Sequence, residues 1–498
     1  MTTKISGDLI LVLDAGTTST RAIAFTIGGE IIASAGRPLH QHYPQPGWVE
    51  HDAAEIWQMS RECLCEVAST IGTPRIATIG ITNQRETMVF WDKLSGEPLA
   101  PAIVWQDRRT ADTCAALKAQ GHEPAVQAKT GLLLDPYFSG TKIRWALDNW
   151  PAVAQAEAEG RLLVGTVESW LIWKLSEAAC HVSDATNASR TLLMDIESCE
   201  WDAGLLALFG VPRAILPTIV DSAGPLASTA LFGGETPITG CAGDQQAAAI
   251  GQACLEPGRI KATYGTGCFL LAHAGAKPPR STHRLLSTVA WRLNGVPAYA
   301  LEGSIFTAGA AVQWLRDGLG LIANSAESEA LAQSVPDSGG LVFVPALAGM
   351  GAPHWQPGAR GLISGITAGT TRAHLVRAAL EAMGQQTADL VDALAADGVA
   401  AAALRVDGGM VANNWLCQDL ADSLGIAVER PRVIETTALG AAMLAGVGIG
   451  LFDSLRAAAE AMSAPDRRFL PCVDTGTRAV RRDRWHRAVE QVLAGVEV

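Results

Sequence analysis

Residues 9–25 read Leu-Ile-Leu-Val-Leu-Asp-Ala-Gly-Thr-Thr-Ser-Thr-Arg-Ala-Ile-Ala-Phe, two apolar runs joined by a polar, glycine-containing turn. Leu9 to Leu13 is short and branched, which predicts a buried strand, and Arg21 to Thr26 predicts its hairpin partner. In the turn, Gly16 permits tight or left-handed backbone, while Thr17, Thr18 and Ser19 offer hydroxyls and successive N–H groups toward one point. Such a turn suits a phosphate. Asp14, at the strand end, suits Mg²⁺ held mainly through water, and Arg21 adds a positive charge. An ordinary polar turn has the same composition, so the motif alone does not decide.

A second hairpin strengthens the phosphate reading. Arg259 to Ala274 has the same layout, with Gly265-Thr266-Gly267 between two strand-like runs half a chain away. A duplicated turn predicts two similar domains facing each other across a nucleotide. Asp407-Gly408-Gly409, after the strand-like Ala403 to Val406, offers bare backbone to a base or ribose. The three turns together resemble the nucleotide site of the actin-like ATPase superfamily.

The chain has 498 residues, enough for two or three domains with sizeable cores. Its 48% hydrophobic residues and 50 glycines predict helices packed closely on sheets, an α/β fold. The boundary is placed near Glu256-Pro-Gly258, giving domains 1–255 and 256–498. The net charge is −12 and no Lys/Arg-rich run occurs, so neither nucleic acid nor an anionic membrane is an expected partner. Ten cysteines are scattered without metal-ligand spacing, which reads as reduced thiols in the cytoplasm. Thr436 to Phe452 is uncharged but short and rich in Gly and Ala, so a core helix is expected there rather than a membrane span.

Between the hairpins, Asp52 and Glu55 form a capping-box pattern opening a helix to about Ser69. Ile76 to Thr82 is strand-like and delivers Asn83-Gln-Arg-Glu86 at its carboxyl end, the edge where open α/β sheets bind ligands. Asp135 to Lys142 is read as a loop before a helix from Ile143, and Thr186 to Arg190 as a polar connection. Pro237 to Ala242 predicts a strand presenting Gly243-Asp-Gln-Gln246.

Asp244 is the leading candidate for chemistry. It follows a small-residue strand with no basic neighbour in sequence, and transfer of a phosphoryl group to a hydroxyl needs a carboxylate to take the proton. A helix N-cap is the structural alternative. Arg85 and Glu86 can donate to and accept from polyol hydroxyls, or form a surface ion pair. Trp105, Tyr137 and Phe269 are candidates for the apolar wall of a small pocket, or for core.

The motifs Asp14-x-Gly-Thr-Thr-Ser, Asn83-Gln-Arg-Glu86, Val104-Trp-Gln, Asp135-Pro-Tyr-Phe-Ser-Gly-Thr-Lys142, Gly243-Asp-Gln-Gln-Ala247, Thr263-Tyr-Gly-Thr-Gly-Cys-Phe269 and Val406-Asp-Gly-Gly409 occur in this order. With Gly361 to Ile366 and His374 to Glu381, they make residues 8 to about 495 resemble the FGGY carbohydrate kinase family. The resemblance implies two actin-like (ribonuclease H-like) domains with a cleft between them, each a mixed sheet flanked by helices. It implies ATP-dependent phosphorylation of glycerol to sn-glycerol 3-phosphate. By carry-over, Arg85, Glu86, Tyr137, Asp244 and Gln245 would bind the three hydroxyls, with Asp244 as general base, and Trp105 and Phe269 would flank the carbons. Thr17, Thr18, Ser19, Arg21 and Thr266 would meet the phosphates, and Gly309, Gln313, Gly409, Met410 and Asn414 the rest of the nucleotide. Asp14 would hold the Mg²⁺ environment. The family also implies a homo-oligomer, dimer or tetramer.

Several positions depart from the family pattern: Ala15 in the first turn, Asp107 after Trp105-Gln106, Ala146, and Met410 after Gly409. The first two and Met410 predict tuning of the site, whereas Ala146, in place of a larger apolar residue, only weakens the match to one family signature. The stretch corresponding to the fructose 1,6-bisphosphate loop of some members, Phe232 to Pro237, carries Glu235 where a base is expected, so that control should be absent or weak. The rival readings are a member of the family acting on a pentulose, hexulose or tetritol, a switch ATPase of the actin or chaperone type, and an inactive scaffold. The Gln84-Arg85-Glu86 and Asp135-Pro-Tyr137 motifs favour the three-carbon acceptor.

Overall fold

The computed structural model describes residues 7–496. The outermost residues of the two expected domains, 1–6 and 497–498, lie outside the described residues. Strand β1, Leu9–Ala15, is buried along its length inside a six-stranded sheet. It pairs antiparallel with β2, Ser19–Thr26, which pairs with β3, Ile31–Pro38. On its other side β1 runs parallel to β4, Ile76–Asn83, followed by β6, Thr236–Gly243, and at the edge β5, Ala223–Thr229. The register sets Ala15 level with Asn83, and Asn83 level with Gly243. The carboxyl ends of β1, β4 and β6 therefore finish in one row.

The second hairpin is β7, Arg259–Tyr264, and β8, Cys268–Gly275. It belongs to a seven-stranded sheet with β9, Leu286–Leu293, β10, Val296–Ile305, β11, Ala403–Asp407, β12, Ala427–Pro431, and β13, Pro465–Phe469. Its order is β9-β10-β8-β7-β11-β12-β13. The run β3-β2-β1-β4-β6 in one sheet and β10-β8-β7-β11-β12 in the other share one plan: a hairpin, a further antiparallel strand beside it, and two parallel strands on the far side. This is the duplication expected from the two turns.

Chain halves and packed layers do not coincide. The helix Thr436–Gly448 lies against the first sheet, where Leu439 and Ala441 to Ala445 share a core with Ile10, Val12, Ile23 and Phe25. It crosses the helix Asp244–Gly251, and at that crossing Gly440 lies against the Ala247 carbonyl and Gly251 against that of Thr436, so closely that neither has room for a Cβ. The stretch expected to be a core helix is one, with its small residues serving the close approach.

Four local expectations differ from the structure. Asp52 caps the helix Ala53–Ile71 by accepting from the amides of Ala54 and Glu55, but Glu55 turns to His40 instead of closing a capping box. The helix Ser139–Asn149 begins inside the stretch read as a loop. The polar residues of its first turn point inward: Ser139 Oγ donates to the Glu86 carbonyl, and buried Lys142 donates to the carbonyls of Val104 and Tyr137. Likewise, Thr186 and Asn187 sit in a buried helical turn, Ala185–Ala188, capped by Asp184. The last difference is an omission, since β9 and β10 lie in a segment for which no strand is expected.

Candidate active site

Three groups gather at the row of strand ends. Leaving β4, Glu86 takes a φ of 61°, a left-handed turn that holds Arg85 and Glu86 beneath the surface at 2% and 1% exposure. Asp244 is the first helical residue after β6, with Gly243 in the capping position, so the N-cap alternative does not describe it. Its Oδ1 accepts from the Gln245 amide at 2.7 Å and lies 3.3 Å from Arg85 Nε. The basic neighbour that Asp244 lacks in sequence is thus supplied by the adjacent strand.

Arg85 and Glu86 are not a surface ion pair. The Arg85 guanidinium is gripped by both oxygens of Glu302, at 2.5 and 3.1 Å, and also donates to Gln246 Oε1 at 3.2 Å and Tyr137 Oη at 3.3 Å. Glu86 Oε1 accepts from Arg190 Nε at 2.6 Å, and Arg190 also donates to Glu302 at 2.9 Å. Burial alone would raise the Glu302 carboxyl, but Arg190 and Arg85 outweigh it and hold the group at about 2. Burial wins at Glu86, which is raised despite Arg85 and Arg190. Arg190 and Glu302 escape a sequence reading. The available signals are an arginine inside the Thr186 to Arg190 polar stretch and a lone acid within the apolar run of β10.

The three aromatic candidates meet as a wall. The Trp105 ring stands edge-on to Tyr137 at 5.7 Å and to Phe269 at 6.0 Å, so residues from both hairpin systems contribute. Trp105 Nε1 donates to Thr17 Oγ1 at 2.9 Å, which ties this wall to the first turn. Beside it, Lys261 is fully buried and donates to Gln245 Oε1, to Thr263 Oγ1 at 2.9 Å and to the Phe269 carbonyl at 3.3 Å. Burial lowers its proton affinity, against the pull of Asp407 and Asp244. Lys261 also goes unsignalled in sequence.

In the first turn, the amide of Gly16 closes on the Ser19 carbonyl at 3.0 Å, and Thr18 is exposed at the tip. Arg21 bridges Asp14 and Glu435, both at 2.8 Å. Burial pushes the Asp14 carboxyl up against the opposing pull of Arg21, with Asp244 and Glu435 adding to the rise. Two carboxylates thus share the one guanidinium of Arg21. Among the described residues no cluster of three or more His, Cys, Asp or Glu is arranged to hold a metal ion.

The second turn is organised by backbone. The amides of Ala308 and Ala310 donate to the Thr266 carbonyl, and that of Gly309 to Gly265, each at 3.0 Å, seating the tip of the β7–β8 turn on the helix Gly309–Gln313. Met410 flanks Gly309, since a Cβ there would meet its Cγ at 3.1 Å. Gly409 is open, and Gln313 is exposed one turn further along the helix. Asn414 Oδ1 accepts from Arg430 and Arg467, both at 3.2 Å. Of the departures, Asp107 holds Arg109, whose guanidinium stacks 3.9 Å over Trp48, and so supports the loop carrying Trp105.

The chain is similar to known proteins over nearly its whole length. Residues 9–251 match the N-terminal domain of the FGGY family of carbohydrate kinases, and residues 260–449 its C-terminal domain. The chain is 55% identical over 492 residues to the glycerol kinase of Rhodospirillum rubrum, covering 97% of this chain and 99% of that one. Among solved structures, Plasmodium falciparum glycerol kinase with ADP superposes with a TM-score of 0.92 at 37% identity, covering 97% of this chain and 98% of the other. Xylulose kinase from Rhodospirillum rubrum superposes with a TM-score of 0.86 at 28% identity, each chain 98% covered.

Proposed function

This chain belongs to the FGGY family of carbohydrate kinases, and from that premise and its site we infer that it transfers the γ-phosphoryl group of ATP to glycerol, giving sn-glycerol 3-phosphate and ADP. The observation that carries the residue assignments is the single row of strand ends, which brings Arg85, Glu86 and Asp244 beside one aromatic wall.

Arg85, Glu86, Tyr137 and Gln245 bind the acceptor hydroxyls, and Trp105 and Phe269 face its carbons. Asp244 takes the proton of the attacking hydroxyl as its oxygen bonds to the γ-phosphorus and the bond to the β–γ bridging oxygen breaks. Thr17, Thr18, Ser19, Arg21 and Thr266 receive the phosphates, with Gly309, Gln313, Gly409, Met410 and Asn414 around the nucleoside. The excess of carboxylate over guanidinium around Asp14 fits Mg²⁺, an ion that binds through one or two carboxylates, water and substrate phosphates without a dedicated protein cage. When bound, it would neutralise charge on the phosphates. Phe232 to Glu235 form a loop leading into β6, with Glu235 exposed, which supports weak or absent control by fructose 1,6-bisphosphate. All ten cysteines are free, which supports a cytoplasmic location, and no helix among the described residues is long and apolar enough to cross a membrane.

ADP release by purified protein with Mg-ATP tests the function when glycerol, erythritol, D-xylulose, L-ribulose and no acceptor are offered in parallel. Release with glycerol, and glycerol 3-phosphate as product, is expected. Preference for a larger sugar overturns the acceptor assignment, and release without acceptor overturns the kinase reading.

A further inference from the structure

The Arg85 guanidinium has five N–H donors. Two face Glu302, one each face Gln246 and Tyr137, and Nε faces Asp244. The Glu302 grip includes the shortest of these contacts, 2.5 Å, and it is bidentate, which fixes the plane of the guanidinium as well as its position. The fork formed by the two terminal nitrogens is therefore occupied, and only the Nε edge is turned to Asp244. Glu302 comes from β10 in the second half of the chain, and Arg190, fully buried, ties it to Glu86.

We propose that Glu302 is a positioning residue: it occupies the fork of Arg85 so that Arg85 cannot close bidentately on Asp244, and Arg190 holds Glu302 and Glu86 in register for this. The inference rests on the general-base assignment of Asp244. Without Glu302, the nearest open carboxylate for the fork is Asp244, which lies 3.3 Å from Nε and is one-third exposed. A forked Arg85–Asp244 pair would occupy the oxygens that must accept the substrate proton and would stabilise the carboxylate against protonation. The other charged groups facing Glu302 are Arg190, Lys261, Glu86 and the phenol of Tyr137, and those facing Asp244 are Arg85, Asp14 and Lys261. None of them supplies a second carboxylate to the Arg85 fork from the side Glu302 holds.

The test is the kinetics of Glu302→Gln against wild type across pH, with glycerol and Mg-ATP varied separately and folding checked by thermal melting and ADP titration. The expected result is a fall of about 10²-fold in kcat, the loss that misplacing a catalytic group brings. KM for ATP stays unchanged, and the acid limb of the kcat profile moves to lower pH. Glu302→Asp keeps the charge on a shorter arm and restores the limb to its wild-type position with a kcat between the two. A loss of activity with the acid limb unmoved, or no loss, overturns the proposal. If Glu302→Gln does not fold, Glu302→Asp decides: a kcat below wild type at unchanged ATP KM is expected, and wild-type constants overturn the proposal. Wild-type protein that releases no ADP with glycerol overturns the functional reading itself.

Discussion

The β1–β2 turn and the β7–β8 turn hold equivalent places in two sheets of the same plan, yet one is furnished with side chains and the other with backbone. Around the first stand Asp14, Arg21, Glu435, the Thr17–Trp105 bond and, beyond the end of β4, the chain Glu86–Arg190–Glu302–Arg85, buried and ending on the part-exposed Asp244, with Glu302 reaching in from β10. Around the second, Gly265, Thr266 and Gly309 are joined by amide–carbonyl bonds, and the neighbouring strand end is Asp407-Gly408-Gly409. Gly408, at φ 91°, packs against the Tyr264 backbone where a Cβ has no room. A duplicated scaffold has kept its shape, and the assignment proposed above divides its work: charge and proton chemistry on one side, close steric fit to a flat ligand on the other.

The division breaks most visibly at Asp244. Asp244→Asn is expected to lower kcat by about 10³-fold, within the range that general-base catalysis contributes, while ADP affinity by calorimetric titration stays near wild type. Comparable losses in both would mean that the charged side also carries nucleotide binding. Next in size is Gly309→Ala, whose Cβ would lie 2.5 Å from the Gly265 carbonyl oxygen. Such overpacking costs about 1–3 kcal/mol, and a lower thermal midpoint with a raised ATP KM and unchanged glycerol KM is the expected pattern.

A third prediction concerns pH. Glu168 is buried and raised from 4.5 to about 7 by burial, against the hydroxyls of Ser183 and Thr166 that donate to it, and its other oxygen receives Asn83 at the end of β4. Because the folded carboxyl keeps a proton that the unfolded chain releases, stability is fully present below pH 4.5 and declines as pH rises toward 7. The slope is at most about 1.4 kcal/mol per pH unit for one group. Thermal melts of Glu168→Gln across that window should show a flatter curve than wild type, and parallel curves would exclude Glu168 as the source. The smallest effect is expected from Thr17→Val, which removes the acceptor of Trp105 Nε1. About 1 kcal/mol, or a fivefold loss in kcat/KM for glycerol, would follow, and an equal loss for ATP would show that the hydroxyl serves phosphate more than the aromatic wall.

Sequence discloses the backbone side of this design better than the charged side. Both turns carry their glycines and flanking apolar runs in one contiguous stretch, so strand, turn and partner are legible together. Arg85, Glu86 and Asp244 are legible because each ends a strand. Arg190 and Glu302 are not, since their meaning lies in pairings across 104 and 217 residues that local pattern does not encode. Lys142 and Ser139 were hidden for a related reason. Polar side chains that face buried carbonyls give the same local composition as a solvated loop.

The helix Thr436–Gly448 bears on a different matter, the order in which the molecule is made. It is the lid on Ile10, Val12, Ile23 and Phe25 of the first sheet, yet it is encoded after almost the whole of the second. At 5–20 residues per second, a ribosome takes roughly 10–40 s to pass from the end of β6 to the end of this helix. Throughout that interval this face of the sheet has only the helix Asp244–Gly251 to share its core, and the larger part of its apolar cover is still to be made.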